Sequence, residues 1–203
     1  MRKRIMISLF DRTTIMAQPW ADAGYDCYAV DLQHRRLSHR EGNIIRVGAN
    51  VHRWLPPITG KICFLAAFPP CTYVALSGAR WFKDEDKGLD GAIDALKNFK
   101  RARDMAVMLR CPYFIENPMC VVSTHWRRPD YQFDPCDYGD GYIKETWIWV
   151  GNGFRMPPKA PVKPVDGRKL YNLPPSADRG DLRSVTPRGF AEAVFLANHR
   201  KGR

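Results

Sequence analysis

Short apolar runs, each halted by a polar residue or a proline, recur along the first three quarters of the chain. Residues 5–10 (Ile-Met-Ile-Ser-Leu-Phe) are apolar with β-branched members, the pattern of a buried strand, and stop at Asp11. Residues 25–32 repeat the pattern and reach Asp31 near their end, and residues 62–67 repeat it again before Pro69 and Pro70 break the run. Two further runs are 113–115, ending at Glu116, and 147–150, bounded by Gly151. Between them lie helical patterns. Residues 15–23 form a helix candidate with Gly24 as its stop. Residues 89–109 carry apolar side chains at 89, 92, 93, 96, 99, 102, 106 and 109, with lysines and arginines on the other face.

Strands that alternate with helices predict an α/β fold with a mainly parallel, helix-covered sheet. Ligands of such sheets bind beyond the carboxyl ends of the strands, where Asp31, Cys71 and Glu116 would gather along one edge. The pattern lapses over residues 152–186. Pro157, Pro158, Pro161, Pro164, Pro174 and Pro175 indicate an irregular, surface-running segment there. A closing amphipathic helix, 187–199, is expected to pack on the core, with Thr186 as N-cap and Pro187 at its first position. At 203 residues, with no internal repeat, residues 1–203 read as one domain carrying that proline-rich insert.

Composition narrows the partners. No stretch approaches the ~20 apolar residues needed to span a bilayer. The basic start, Arg2-Lys3-Arg4, leads into an apolar run that ends at Asp11 with no small-residue cleavage site, so a strand is expected there and cytoplasmic residence follows. The six cysteines show neither a CxxC pair nor a metal-ligand rhythm, which argues against a zinc or redox protein. The net charge of +11 favours a polyanionic partner, nucleic acid first. Part of it is concentrated between His34 and Arg53.

The chemistry rests on Cys71 and Glu116, 45 positions apart. A thiolate added to C6 of a cytosine turns the ring into an enamine whose C5 can attack an electrophilic methyl group. The addition is eased by protonating N3, which requires a carboxyl group with a raised pKa against the base.

Several runs, in this order, resemble motifs of the DNA cytosine-C5 methyltransferase family. Ser8-Leu9-Phe10-Asp11, Trp20-Ala21-Asp22-Ala23-Gly24-Tyr25 and Ala29-Val30-Asp31 look like its first and second motifs. Pro69-Pro70-Cys71 resembles its nucleophile motif, and Phe114-Ile115-Glu116-Asn117-Pro118 its Glu-Asn motif. Tyr142-Ile143-Lys144-Glu145-Thr146 is similar to a weakened form of the base-holding motif. Within the family the likeness is to short cytosine methyltransferase-like proteins of phages and prophages. Those carry runs similar to 77–82, 123–131 and 183–191 of this chain.

The resemblance implies a Rossmann-like sheet of the class I S-adenosylmethionine-dependent methyltransferase type, and S-adenosylmethionine as cofactor. Cys71 would be the C6 nucleophile, Glu116 the N3 acid, Asn117 the residue shaping its loop, and Lys144 a contact to the base or a phosphate. Asp31 would hold ribose hydroxyls, Phe10, Asp11 and Thr13 would border the cofactor, and Pro69 and Pro70 would wall it. Asn50 stands where the family has an aspartate for the adenine amino group, a role weighed against that of a loop asparagine. Arg80, Arg127 and Arg128 would contact DNA, as a duplex with a flipped cytosine or as a single strand, and Trp54, Trp81 and Trp126 are candidate stacking surfaces.

Two departures stand out. The donor loop, residues 11–16, contains no glycine, and β-branched Thr13 and Thr14 disfavour positive φ. Its threonine hydroxyls then supply hydrogen bonds along another course, or donor binding is weakened. Only about 35 residues follow the base-holding motif where the family has a large DNA-reading domain. Two alternatives follow: the same nucleophile acting on a free pyrimidine nucleotide or with another donor, and a catalytically silent DNA-binding homologue.

Overall fold

The computed structural model describes residues 3–35, 38–57, 59–76, 88–176 and 178–199. The chain forms an α/β fold around one mixed sheet of eight strands, in the order β3-β4-β2-β1-β5-β6-β8-β7. The strands are β1 (Arg4–Leu9), β2 (Asp26–Asp31), β3 (His39–Glu41), β4 (Ile44–Gly48), β5 (Lys61–Ala67), β6 (Tyr113–Asn117), β7 (Tyr131–Phe133) and β8 (Thr146–Gly151). The central five, β4-β2-β1-β5-β6, are parallel. β8 runs antiparallel to β6, and the short edge strands β3 and β7 are antiparallel to their neighbours.

Alternation along β1 builds the two sides of the core. Ile5, Ile7 and Leu9 point to one face, where Val30, Leu65 and Ile115 join them under α2 (Gly88–Leu109). Met6 points to the other, with Phe64, Phe114 and Ile148, under α1 (Gln18–Asp22) and α5 (Arg188–Asn198). On the first face Phe99 of α2 meets Trp149 and Trp126 edge to face at 5.1 and 5.8 Å. Such pairs contribute ~0.5–1.5 kcal/mol each beyond area burial. On the second face Phe190 stacks on Phe133 with ring centroids 4.0 Å apart.

Several expectations needed adjustment. The helix expected at 15–23 is a turn followed by five helical residues, because the preceding loop is spent on an aspartate-centred turn; Gly24 does end it, at φ +82°. The face of α2 is as expected at Phe99, Ala102 and Ala106, which are buried, but Ala95 and Met105 join it whereas Leu89 is 72% exposed. The closing helix begins at Arg188 with Pro187 as N-cap, and Thr186 makes no capping bond. Sequence reading passed over β3, β4 and β7, the four-residue α3 (Val122–His125) and α4 (Arg179–Ser184). Residues 152–176 contain no helix or strand, as the prolines indicated.

The strand order fixes where a ligand can enter. From β1 the chain runs outward through β2 to β4, then returns to the other side of β1 as β5 and continues to β6. The loops after β1 and β5 therefore diverge, and the crevice between them at the carboxyl ends is the switch point where open α/β sheets hold ligands.

Candidate active site

The loop after β5 owes its shape to Pro69 and Pro70, which lack the N–H a strand needs and stop the ladder. Phe68 N still donates to Leu9 O at 3.0 Å, so the loop leaves the sheet beside β1. Cys71 follows, half-buried, and its carbonyl accepts from Val74 N and Ala75 N at 3.1 and 2.8 Å. That turn fixes the backbone of Cys71 just beyond the carboxyl end of β5.

β6 pairs with β5 so that Ala67 faces Ile115, which brings Glu116 level with the start of the same loop. Asn117, 1% exposed, donates through Nδ2 to Pro69 O at 2.9 Å and to Glu116 O at 2.8 Å. One amide thereby ties the Cys71 loop to the Glu116 strand end, while its buried Oδ1 has no hydrogen-bond partner. Since β8 is antiparallel to β6, its start lies beside the end of β6. Lys144, two residues before β8, places Nζ 3.8 Å from Glu116 Oε1 and donates its backbone N–H to Asp134 at 2.9 Å.

The electrostatics follow from burial. Desolvation pushes the Glu116 carboxyl above the usual carboxylate range, and the Lys144 ammonium only partly offsets it. Desolvation and then the Glu116 charge raise the Cys71 thiol, opposed by Lys144 and Arg183. Cys71, Glu116 and Lys144 thus form one interacting cluster, and the Arg183 charge also acts on the thiol. Arg183 is the one that sequence reading missed as a site residue. It lies on α4, whose Asp181 is ion-paired with Arg12 of the loop after β1. Its sequence signal was its place at the head of the run 183–191, just before the closing helix. The thiols of Cys27, Cys111 and Cys120 are also raised by burial but have no such cations beside them, as suits structural cysteines. Among the described residues no cluster could hold a metal ion.

The donor loop takes a course that its composition disguised. Phe10 and Thr14 adopt φ +55° and +61°, the left-handed region glycine usually serves. The Asp11 carboxylate, 3% exposed, holds them there. Ser8 Oγ donates to Oδ2 at 2.6 Å, and Thr13 Oγ1 and Thr14 N donate to Oδ1 at 3.2 and 2.7 Å. Burial outweighs these bonds and raises the Asp11 carboxyl. Asp11 and Thr13 are therefore directed into the loop itself. Phe10 packs partly buried against the core, and half-buried Asp31 ends β2 with Oδ1 accepting from Gln33 N at 2.7 Å.

The remaining candidates are less concentrated. Asn50 is exposed and uses Oδ1 to accept from His52 N at 2.8 Å, the part of a loop asparagine. Pro69 is buried and Pro70 exposed. Arg127 is engaged within the fold, with Asp130 at 2.6 Å, Val150 O at 3.1 Å and the Trp126 ring beneath its guanidinium. Arg128 is exposed, and Trp126 is 42% exposed. Trp54 is partly buried near Tyr28. Arg80 and Trp81 lie outside the described residues.

Comparison with known proteins gives no matching family model and no matching curated protein. Among the described residues no helix is long and apolar enough to cross a membrane.

Proposed function

We propose that the chain is a DNA cytosine-C5 methyltransferase-like enzyme using S-adenosylmethionine. The observation that carries this reading is the pairing of Cys71 with a buried Glu116, whose carboxyl is raised by desolvation, at neighbouring carboxyl strand ends. The strand order supports a Rossmann-like sheet of the class I methyltransferase type, with the crevice beside β1 as its cofactor side.

The residues at that crevice fit the cofactor. The left-handed turns at Phe10 and Thr14 give a glycine-free loop the tight course that a nucleoside needs, and Asp31 offers a carboxylate to ribose hydroxyls at the end of β2. Phe10, Asp31 and Pro69 would hold the group, which when bound supplies an electrophilic methyl. The chain's own residues do the rest. Cys71 gives its proton to solvent, and Sγ forms a bond to cytosine C6. Glu116 delivers its proton to N3, which takes up the charge of the adduct. Lys144 then stabilises the carboxylate left on Glu116. Asn117 keeps the two strand ends in register. Once C5 is substituted, its proton leaves to solvent, the C6–S bond breaks, the thiolate departs, and N3 returns its proton to Glu116.

The test is transfer of labelled methyl from S-adenosylmethionine to plasmid DNA. Wild type should label DNA, and Cys71→Ala and Glu116→Gln should not; equal labelling by wild type and Cys71→Ala overturns the reading. The irregular course of residues 152–176 gives a second reading, action on a free pyrimidine nucleotide, because little ordered surface is left to read base edges. A covalent adduct with a 5-fluoropyrimidine nucleotide but none with 5-fluorocytosine DNA would select it.

A further inference from the structure

Far from Cys71 in strand order, the β3–β4 edge encloses an open cleft of about 290 Å³ lined by His34, Arg35, His39 and Arg46. Its walls are preorganised. His39 and Arg46 are cross-strand partners in the antiparallel β3–β4 pair. Arg46 is anchored by an ion pair to Glu41 through Nη1, which leaves further guanidinium donors to spare. His34 Nε2 donates to the Asp11 carbonyl at 3.1 Å, fixing the ring at the carboxyl end of β2. Among the described residues the cleft is lined by two arginines and two histidines, which disfavours a cation.

With the His34 Nε2–H given to the Asp11 carbonyl, the two guanidinium groups and the His39 imidazole still offer more N–H donors than the two oxygens of a carboxylate can accept. We propose that this cleft is a phosphate-binding site, separate from the Cys71 crevice, formed by His34, Arg35, His39 and Arg46. The phosphate is either a single free group or one link of a nucleic-acid strand. The surroundings favour the strand. On the opposite face of the same hairpin a groove of about 660 Å³ is lined by Arg40 and Arg53 together with Tyr28 and Trp54. Cations interleaved with aromatic rings are the surface that single strands use. Arg40 is partly engaged there by Asp26 at 3.0 Å, so Arg53 is the less committed cation of the two. The site does not depend on the methyltransferase reading, because its occupancy is read by binding alone.

The experiment compares wild type, Arg35→Gln/His39→Gln and the control Lys97→Gln/Lys100→Gln, whose lysines lie on the exposed side of α2. Thermal melting confirms that all three are folded. Fluorescence anisotropy with a single-stranded oligonucleotide is measured over a salt series. Loss of one phosphate contact lowers the slope of log K against log salt by about 0.7 for a single strand. That loss is expected in the cleft variant and not in the control. In parallel, the imidazole resonances of His34 and His39 are followed by NMR on adding inorganic phosphate or the oligonucleotide, with ionic strength matched by chloride. Shifts with inorganic phosphate identify a site for a free group; shifts with the oligonucleotide alone identify a strand site. Equal affinity and slope in wild type and cleft variant, equal losses in cleft variant and control, or silent imidazoles with both ligands would overturn the proposal.

Discussion

Glu116 carries two opposing demands. Its burial favours the protonated form, which a proton donor to the base requires, and the same burial makes its ionised form costly to the fold. With the folded pKa raised above the ordinary glutamate value of 4.5, the native state holds more protons than the unfolded chain, so this contribution to stability is present at low pH and is lost as pH rises through the folded value. Urea denaturation over a pH series should therefore show wild type losing stability relative to Glu116→Gln as pH rises above about 4.5. A difference that is independent of pH would contradict a raised carboxyl. The thiol gives a second readout. Because the Glu116 charge raises Cys71 and Lys144 lowers it, alkylation of Cys71 by iodoacetamide at pH 8.5 should be faster in Glu116→Gln and slower in Lys144→Gln. Mass spectrometry of the Cys71 peptide reads both rates.

The elements succeed or fail by their ends. Asp11 replaces the missing glycines of the donor loop with hydrogen bonds, so its substitutions should divide by chemistry. Asp11→Ala leaves the buried Ser8 hydroxyl and Thr14 N–H without acceptors, at about 1–3 kcal/mol for each group. Asp11→Asn keeps an acceptor for Thr14 N and offers an amide to Ser8 Oγ, and should cost much less by urea denaturation. At the other end of the chain, Gly189 sits in the first turn of α5, against the 3-10 turn Pro135–Tyr138. A Cβ there would meet Tyr138 O at 1.6 Å, a clash with backbone. Gly189→Ala should therefore lower Tm by several degrees, since each kcal/mol is worth roughly 2–4 °C in a chain of this size. Neither constraint shows in periodicity. Asp11 reads as the polar residue that ends a strand, and Gly189 reads as a weak helix former at a helix start.

For the whole molecule, the excess of positive charge and the crevice at the strand switch point act together. A polyanion held at the basic edge strands would keep the chain on its substrate, and association should weaken steeply with salt. Much of this architecture was legible in the sequence, because buried parallel strands must be apolar throughout and must end where polar or proline residues begin. That rule located β1, β2, β5, β6 and β8, and with them Cys71 and Glu116 at strand ends. Tertiary structure decided what no local pattern encodes. The short edge strands β3 and β7 exist because a neighbour offers them hydrogen bonds. The antiparallel direction of β8 is what carries Lys144 to Glu116. The face of α2 is set by its sheet contacts, which displaced Leu89 in favour of Ala95 and Met105. The Arg183 charge acts on Cys71 from α4, whose Asp181 pairs with Arg12 of the β1 loop. The sequence by itself determined which side chains can carry the chemistry and on which edge of the sheet they lie. Their proton affinities depended on desolvation and on charges brought from distant parts of the chain, and those arise only when the chain folds.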